Sequence, residues 1–573
     1  MDFVIPRVTS GGSRRPPVAG AGWWSRRSSS ARRCYPPPGR LPARPGTTSS
    51  TGSAAFFLDP AGQRPLLEAY ARFTGEPTDF AELALDKKHQ ALRESLAADL
   101  GRLTELFVQV CERNRRYRDY TRHELHEVLR EVVACFPVYR TYVRPEDAAV
   151  SSDDVAYVEE AVERARRRRP ELDGELFGFL QDLILLRVRG DQPPGLKVFN
   201  AAVETELVAR FQQLTSPVTA KGVEDTAFYT YLPLIALNEV GGDPGRFGTS
   251  VAEFHASCAA TQASWPAGMT TTATHDTKRG EDVRARLALL SEIPEAWVEA
   301  LTRWSSYNQR YRSSLQLPDA NAEYLLYQTL VGAWPLSLDR ALAYMEKASR
   351  EAKVHTSWTD QVPVYDNALR AFVESVLGDE AFLADVAAFV EPLVGPGRVN
   401  SLAQTLVKLT SPGVPDTYQG TELWDLSLVD PDNRRPVDFG LRRALLGQVE
   451  QVTAAEAWAR ADEGLPKMLV TTRALRLRRR RPESFGRSGS YEPLASTGSM
   501  AENVVAFVRG GAVATVVPRL VLGLAEKGDW GDTAVTLLSG QWRNVLTGRI
   551  VAGGEVGVAE LMDGFPVALL EAG

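Results

Sequence analysis

The spacing of hydrophobic residues predicts that the first large part of the chain is helical. From Phe56 onwards, apolar positions recur three and four residues apart in the stretches 65–75, 89–114, 121–140 and 152–189. This period is typical of amphipathic helices, which bury one face. The pattern is interrupted at Pro137 and then resumes. We therefore predict a helical subdomain over residues 56–215.

Strand-like and helical patterns alternate in the next part of the chain. The stretches "ATHDT" (273–277) and "LVKLTSPGVPDTYQG" (406–420) have the pattern of short strands that run into loops. Residues 319–350 and 365–390 have helical spacing instead. Strands that alternate with helices are typical of βα units and a parallel sheet. Residues 216–499 are therefore predicted to form the later part of a βα barrel, with helical additions.

Near residue 500, the spacing of apolar residues changes from three or four positions to two. The segments 503–520, 533–540 and 542–548 alternate apolar and polar residues between turns that contain glycine. This pattern predicts a small all-β C-terminal domain over residues 500–573. No window of about eighteen apolar residues occurs, so we expect neither a transmembrane helix nor a membrane partner.

The first 55 residues differ in composition from the rest of the chain. They are rich in Arg, Pro, Ser and Gly, and Asp2 is the only acidic residue among them. Such a segment buries little apolar surface, so we expect disorder. The alternative is a basic arm that contacts a polyanion, for which the tandem Trp23-Trp24 is the one further hint.

Charge and cysteine usage narrow the classes of function. The net charge of −6 argues against nucleic acid as a partner, and the arginine runs 163–172 and 475–484 are interpreted as solvated helix faces. The four cysteines lie far apart without a CxxC pair, which argues against zinc and disulfides and favours a cytoplasmic location. His123 and His126 have ligand-like spacing, but they lie in a helical pattern without a third ligand nearby. We therefore expect no metal and no other cofactor.

An aspartate behind a histidine follows a run of threonines in "TTTATHDTKRGEDVRAR" (270–286). Side chains at the C-terminal ends of barrel strands point into the active site. A carboxylate at the position of Asp276 could therefore stabilise a cationic transition state or bind sugar hydroxyls. The alternative is that Asp276 caps a helix beginning near Glu281, with His275 simply packed beside it.

A second polar group lies in the stretch 215–248, where Lys221, Glu224 and Asp225 precede the aromatic residues Phe228, Tyr229 and Tyr231. Aromatic faces flanked by polar groups suit a sugar ring, which has apolar C–H faces and a rim of hydroxyls. A helix start beside an aromatic core is an equally good interpretation of these residues alone.

A third stretch, 406–439, predicts a loop with several polar side chains. After an apolar strand that ends at Ser411, it presents Asp416, Tyr418, Gln419 and Glu422. The segment "DPDNRRPVD" (430–438) follows, in which two arginines stand among three aspartates. A rigid turn held by Asp–Arg pairs is the alternative to a binding role for this segment.

These three stretches together resemble one known family. "PGVPDTYQG" with "DPDNRRPVDF", and "THDTKRGEDVRARL", are similar to the later motifs of the α-amylase superfamily. "AKGVEDTAFYTYLPLIALNEVGGDP" (220–244) narrows the resemblance to the maltooligosyl trehalose synthase family, and "FPVYRTYV" (136–143) agrees with it. The resemblance covers residues 56–570 and implies an α/β fold, a partial (β/α)8 barrel of the α-amylase type with a large helical insertion and a C-terminal all-β domain.

The resemblance implies an isomerase. Members of the family convert the reducing-end α-1,4 linkage of a maltooligosaccharide into an α,α-1,1 linkage by intramolecular glucosyl transfer, without a cofactor. The chemistry is that of a retaining glycosidase, in which one carboxylate attacks the anomeric carbon and a second donates and recovers a proton. Exclusion of water separates this outcome from hydrolysis.

The resemblance also implies roles for individual residues. Asp276 matches the carboxylate that follows a histidine at the seventh barrel strand, and would stabilise the transition state. His275 would bind the sugar in the central subsite. The remaining motif positions would be substrate-binding residues of the pocket: Lys221, Glu224, Asp225, Tyr229 and Arg279.

The nucleophilic Asp and the acid/base Glu of the family belong to earlier strands, and residues 1–55 contain no match to either motif. We therefore hypothesise a C-terminal portion of such a synthase behind an aberrant leader, as a shifted reading frame would produce. The alternatives are a non-catalytic maltodextrin-binding fragment and an α-glucan hydrolase of the same superfamily. The expected partner is a maltooligosaccharide substrate, in a pathway shared with a trehalose-releasing hydrolase.

Overall fold

The computed structural model describes residues 55–189 and 201–573. The predicted leader up to residue 54 and the Trp23-Trp24 pair lie outside the described residues. The helices are α1 (Gln63–Thr74), α2 (Phe80–Glu94), α3 (Ala97–Glu112), α4 (Arg122–Ala134), α5 (Ser152–Arg168), α6 (Gly174–Ile184), α7 (Ala201–Thr219), α8 (Val251–Ser264), α9 (Glu281–Leu287), α10 (Pro294–Asn308), α11 (Ala320–Ala333), α12 (Leu338–Ala352), α13 (Pro363–Leu377), α14 (Glu380–Thr410), α15 (Phe439–Gln448), α16 (Ala454–Ala459), α17 (Leu465–Arg480), α18 (Pro482–Phe485), α19 (Val521–Lys527) and α20 (Val558–Leu561). The strands are β1 (Met269–Thr270), β2 (Val414–Pro415), β3 (Tyr491–Pro493), β4 (Ser496–Thr497), β5 (Val504–Arg509), β6 (Val513–Pro518), β7 (Ala534–Asn544), β8 (Ile550–Gly557) and β9 (Ala568–Ala572). None of the helices within these ranges is long and apolar enough to cross a membrane.

The helical insertion is formed by α2 to α7, as the hydrophobic spacing predicts. Its helices pack around a core whose buried members lie between Leu85 and Val218. Local sequence sets where the helices begin: Thr121 and Glu124 form a reciprocal capping box at the start of α4. Such a box satisfies backbone N–H groups that the first turn leaves without partners. The helices of the insertion therefore begin where their capping residues stand, and they share one continuous apolar core.

A short parallel sheet and the helices around it form the barrel-like part. Strands β1 and β2 pair in parallel, with Met269 opposite Val414. Their hydrogen bonds run from the Val414 N–H to the Gly268 carbonyl (2.8 Å) and from the Asp416 N–H to the Thr270 carbonyl (2.7 Å). Met269 and Val414 are at least half exposed, because no further strand of the described residues pairs with this sheet.

Two strand predictions in this region are wrong. Residues 406–410 are the end of the long helix α14, and β2 is confined to the two residues after the turn at Gly413. Residues 273–277 form a turn, since β1 already ends at Thr270. The run 406–410 is buried on every side, and a short, fully apolar run does not distinguish a buried strand from a buried helix.

The C-terminal residues form a seven-stranded antiparallel sheet, which confirms the all-β prediction for this region. The strand order is β3-β5-β6-β9-β7-β4, and β8 pairs with β7. Strands β5 and β6 are buried along their whole length. Gly510 and Gly511 connect these two strands with positive φ angles of 54° and 65°, a conformation that glycine adopts without a steric penalty.

Part of one arginine run has a structural role that its composition did not predict. Arg478 of α17 donates hydrogen bonds to the carbonyls of Leu409 and Gly413, both at 2.9 Å. Burial lowers the pKa of Arg478 to about 10. The interpretation of residues 475–484 as a solvated face is therefore wrong at this position, because α17 packs against α14. The run 163–172 does face acidic partners, and Arg168 pairs with Glu82 at 2.8 Å.

The first described residues are fastened to the C-terminal sheet by Arg519, which follows β6. Its Nε donates to the carbonyl of Phe56 (3.0 Å) and its Nη2 to the carbonyl of Leu58 (3.3 Å). Nη1 donates to the carbonyl of Glu502 at 3.1 Å. Phe56 also packs its ring 4.8 Å from that of Phe254. One buried guanidinium thus joins segments that are more than 400 positions apart in the sequence.

A buried group of four charges joins α9 to α14 and α17. Lys467 places its Nζ 2.7 Å from carboxylate oxygens of both Glu281 and Asp282. The Lys408 Nζ lies 3.7 Å from Glu281, and the Thr272 hydroxyl also donates to that carboxylate. Burial disfavours ionised Glu281, but the two ammonium groups outweigh it and lower its pKa to about 2. Two cations therefore balance two anions in a region without solvent.

A further buried carboxyl, Glu292, joins this part of the chain to α19. Its Oε2 accepts hydrogen bonds from the N–H groups of Leu522 (2.9 Å) and Gly523 (3.2 Å). Its Oε1 is buried without a hydrogen-bond partner among the described residues. Burial raises the pKa of Glu292 to about 7, against the opposing effect of the two N–H groups. The folded protein therefore holds a proton at Glu292 more tightly than the unfolded chain does.

Glu292→Gln is expected to remove a pH dependence of stability. Because the pKa of Glu292 is about 7 in the folded protein and ordinarily 4.5, Glu292 adds stability below pH 4.5, and this contribution is lost as the pH rises through 7. The contribution of Glu292 to the free energy of unfolding changes by at most about 3.5 kcal/mol over this pH range, since one pKa unit corresponds to about 1.4 kcal/mol. Urea unfolding of both proteins between pH 5 and 8 tests this. Parallel stability curves for the two proteins would contradict the assignment.

Candidate functional site

Asp276 lies on an exposed turn just beyond the C-terminal end of β1. The turn is closed by a hydrogen bond from the Thr277 hydroxyl to the Thr274 carbonyl (2.8 Å), and the Asp276 N–H donates to the Thr274 hydroxyl (3.2 Å). His275 and Asp276 are both exposed. Helix α9 begins after Gly280 without a side-chain cap, so the interpretation of Asp276 as a helix cap is wrong. Its carboxylate is therefore available to solvent at the strand end, where barrel enzymes place reacting groups.

The turn that carries Asp276 is held by the segment 430–438. The Asn433 side-chain amide faces the carbonyls of Thr274 (3.4 Å), His275 (3.3 Å) and Thr277 (3.4 Å). Arg434 also donates to the His275 carbonyl at 3.3 Å. These contacts fix the backbone of His275 while its exposed ring stays free of them. Asn433 was not among the predicted site residues, since no motif singles out an asparagine inside "DPDNRRPVD".

The Asp–Arg pairing predicted for the same segment is present. Arg435 lies 3.0 Å from Asp432, and Arg434 lies 3.5 Å from Asp430. Arg340 of α12 also pairs with Asp432, at 2.8 Å. The segment is therefore a rigid turn, and its rigidity supports the position of the Asp276 turn.

Two lysines flank Asp225 beside the turn. Lys278 donates to one oxygen of Asp225 at 3.0 Å, and Lys221 donates to the other at 2.7 Å. Burial alone would raise the pKa of Asp225, but the two ammonium groups lower it. Lys278 is buried, and the carboxylates of Asp225 and Asp276 keep its pKa raised against the effect of burial. A fixed positive charge therefore lies within electrostatic reach of Asp276.

Glu224 and Tyr229 are buried residues of the segment 220–231, which also carries Lys221 and Asp225 and forms one wall of the site. Glu224 is buried, and it accepts hydrogen bonds from the Tyr139 hydroxyl and, at 2.8 Å, from the Gly241 N–H. Burial raises the pKa of Glu224, and the charge of Asp276 adds to this effect. The ring of Tyr229 is buried with its centroid 6.0 Å from the Lys278 Nζ. Glu224 and Tyr229 are therefore buried side chains that lie beneath the exposed residues of the site.

Arg279 is directed into the core instead of the open site. Its guanidinium donates to the Asn238 carbonyl (3.2 Å) and to the Tyr344 hydroxyl (2.9 Å). Glu239 accepts from the backbone N–H groups of both Lys278 (2.8 Å) and Arg279 (3.2 Å). The structure thus brings Lys221, Asp225 and Asp276 together at an open surface and places Arg279 beneath them.

A π-helical turn, Ala220–Glu224, sets the positions of Lys221 and Glu224. It follows α7 directly, and such turns are frequent at functional sites because they change the direction of side chains. Gly222 lets the turn approach α2 closely, since a Cβ at this position would lie 2.7 Å from the Cα of Lys88. The backbone of α2 therefore determines how this wall of the site is placed.

Gly222→Ala is expected to destabilise the protein by about 1–3 kcal/mol, because the added methyl group meets backbone atoms that cannot rotate away. The matched control is Gly101→Ala in the middle of α3, where a Cβ has no atom within 4 Å. That change is expected to stabilise the helix by about 0.5–1 kcal/mol. Urea unfolding measures both, and an equal effect of the two substitutions would contradict the close approach at Gly222.

The histidine pair of α4 has ordinary surroundings. His126 Nδ1 lies 3.1 Å from the Thr104 hydroxyl, and His123 is exposed. Over residues 55–189 and 201–573, no group of three or more His, Cys, Asp and Glu residues is arranged to hold a metal ion.

Comparison with known proteins identifies relatives of the chain. No family model matches it. A protein of Mycobacterium tuberculosis, named as a maltooligosyl trehalose synthase in strains CDC 1551 / Oshkosh and ATCC 25618 / H37Rv, is 42% identical over 386 residues. The match covers 66% of this chain and 47% of that protein. The chain therefore spans about half the length of the curated relatives that it matches.

Solved structures agree with the sequence comparison. The maltooligosyltrehalose synthase of Arthrobacter ramosus matches with a TM-score of 0.77 and 36% identity, covering 91% of this chain and 63% of that one. A Sulfolobus tokodaii protein described as a hypothetical maltooligosyl trehalose synthase matches with a TM-score of 0.66 and 26% identity, covering 91% and 62%. The chain is therefore a homologue of the maltooligosyl trehalose synthases, and over its described residues it shares their amylase-type fold.

Proposed function

We propose that the chain carries the Asp276 side of an active centre that acts on maltooligosaccharides. The reaction is the intramolecular transfer of the reducing-end glucosyl unit, which converts an α-1,4 linkage into an α,α-1,1 linkage. The observation that carries the proposal is an exposed carboxylate beyond the end of a parallel strand, with Lys278 and Asp225 fixed beside it. The names of the relatives support the same reaction.

In this reaction Asp276 stabilises positive charge at the anomeric carbon. A carboxylate held beside a forming oxocarbenium ion lowers the barrier, because its charge is already in place when the transition state forms. The exposed ring of His275 would hydrogen-bond the same sugar. Lys221 and Lys278 are both hydrogen-bonded to Asp225, which leaves the carboxylate of Asp276 exposed beyond the strand end.

The reaction also needs a nucleophile and an acid/base, at carboxylates roughly 5–5.5 Å apart in a retaining enzyme. Two carboxylates of the same wall are already engaged: Glu224 by the Tyr139 hydroxyl and the Gly241 N–H, and Asp225 by two lysines. We assign both reacting carboxylates to polypeptide that packs on the open β1–β2 sheet. Exposed Met269 and Val414 mark the surface where it would pack.

The test is a reaction of the purified chain with maltopentaose, alone and mixed with the N-terminal half of the Arthrobacter ramosus synthase. Loss of reducing ends and the anomeric-proton NMR spectrum report the product. We expect no turnover by the chain alone and an α,α-1,1 product from the mixture. Turnover by the chain alone would contradict the assignment of the two carboxylates. Glucose release would favour an α-glucan hydrolase, and binding without any turnover would favour a maltodextrin-binding fragment.

A further inference from the structure

An exposed tryptophan stands on the loop between α12 and α13. Trp358 is 50% exposed, which is unusual for so large an apolar side chain. The loop around it is closed by hydrogen bonds from the Ser357 N–H to the Asp360 carbonyl and from the Asp360 N–H to the Ser357 hydroxyl, both at 2.9 Å. Trp358 is therefore presented to solvent by a defined turn.

The indole ring is held from one side. Its Nε1 donates to Glu351 at 3.1 Å, and the guanidinium carbon of Arg350 lies 4.9 Å from the ring centroid. Arg350 is itself fixed by Glu346 at 2.7 Å. One face of the ring is thus covered by a cation, and the other face contributes to the exposed surface. Little conformational entropy remains to be lost if a ligand stacks on that face.

The three residues that follow Trp358 in the loop are polar, which suits a sugar ligand. Thr359, Asp360 and Gln361 are exposed beside the ring and offer hydroxyl, carboxylate and amide groups. A pyranose ring combines an apolar C–H face with a rim of hydroxyls, so an aromatic face with polar groups at its edge complements it. Val354, Val362 and Val364 are also exposed in this stretch of chain, so an apolar protein partner is the alternative occupant, and absent or unchanged maltoheptaose binding in the test below would favour it.

The base of this loop contacts the candidate site. Lys353, at the end of α12, donates to the Thr226 hydroxyl at 2.9 Å. Glu351, which holds the indole N–H, lies within electrostatic reach of Lys221 and Tyr229. Trp358 is therefore connected through two side chains of α12 to the wall that carries Lys221 and Asp225.

We propose that Trp358 is a stacking subsite for one glucosyl unit of an α-1,4-glucan, away from the unit that reacts at Asp276. The proposal rests on the proposed function for its ligand class. The exposed face of the indole receives the C–H face of the sugar, and Asp360 and Gln361 bind its hydroxyls.

The test is calorimetric titration of the full chain with maltoheptaose, for the wild type, Trp358→Ala and Trp358→Phe. Trp358→Ala is expected to weaken binding about tenfold and Trp358→Phe about threefold, as the loss and the partial retention of one aromatic stack predict. The matched control is Tyr142→Ala, an exposed aromatic ring with Arg140 at 4.8 Å on one face. We expect this control to bind as the wild type does, and all four proteins to have the same melting temperature within about 2 °C.

The two proposals fail in different ways. Unchanged binding in Trp358→Ala, or no binding of maltoheptaose by the wild type, would overturn the stacking subsite. The trehalosyl product of the mixed reaction with maltopentaose decides the proposed function independently. Weaker binding in Trp358→Ala without any such product would leave the subsite in place and remove the reaction.

Discussion

Lys467→Met is expected to lower the free energy of unfolding by about 3–5 kcal/mol, the typical cost of leaving a buried charge without its partner. The Lys467 Nζ contacts Glu281 and Asp282 at 2.7 Å each and donates to the Leu423 carbonyl at 3.2 Å. Methionine fills a similar volume but leaves two carboxylates facing the single ammonium group of Lys408. Urea unfolding at pH 7.5 measures the loss.

The pH dependence of this variant identifies the cause. Burial already raises the pKa of Asp282 in the wild type, and removal of the Lys467 charge would raise it further. Protonation of Asp282 then relieves the imbalance, so Lys467→Met should be less destabilised at pH 5 than at pH 8. The double variant Lys467→Met, Asp282→Asn should recover part of the loss at both pH values.

The control for the lysine substitution is Arg64→Met. Arg64 forms an ion pair with Glu68 at 2.7 Å, but both side chains are largely exposed. Exposed pairs contribute little to stability, so the control is expected to unfold as the wild type does. A loss in Lys467→Met no larger than in Arg64→Met would show that solvent reaches the four charges.

Asp276→Asn is expected to lower kcat for trehalosyl product by about 10²–10³-fold in the mixed reaction with maltopentaose. The amide keeps the size of the side chain but removes the charge that stabilises the transition state. Since Asp276 is exposed and does not cap α9, we expect the melting temperature to stay unchanged. KM should change far less than kcat, because the charge acts mainly after the substrate has bound.

The matched control for Asp276→Asn is Asp339→Asn. Asp339 is an exposed aspartate in the first turn of α12, and the substitution makes the same change of charge. It should leave kcat unchanged. Equal activity of the two variants in the mixed reaction would refute a catalytic role for Asp276, and a loss of melting temperature in Asp276→Asn would point to a structural role.

Periodicity predicted the helical insertion and the C-terminal sheet because both follow from local spacing. It failed at residues 406–410, where a fully buried run carries no period at all. The threonine run predicted that Asp276 ends a strand, but β1 already ends at Thr270, and Asp276 lies on the turn that follows. The position of Arg279 in the core depends on Asn238 and Tyr344, which are 41 and 65 residues away, and local spacing does not report such contacts.

The partners in the buried group of four charges could not be predicted from local sequence either. A helix was expected to begin near Glu281, and α9 does begin there. Its partners Lys408 and Lys467 lie far along the chain, each as a single lysine inside an apolar run. A lone lysine in such a run is a signal for a buried partner, since an unpaired buried ammonium group is too costly to keep. The signal predicts that a partner exists but does not identify it.

The contact between Arg519 and the first described residues has a consequence for synthesis of the chain. Phe56 precedes Arg519 by 463 positions, so its carbonyl meets the guanidinium only after nearly the whole chain has left the ribosome. At 5–20 residues per second this interval lasts roughly 20–90 s. Throughout it, the apolar run Ala55-Phe56-Phe57-Leu58, buried in the finished fold, lacks the partner that fastens it. Chaperones that bind short apolar segments therefore have a defined target and a defined time in which to act.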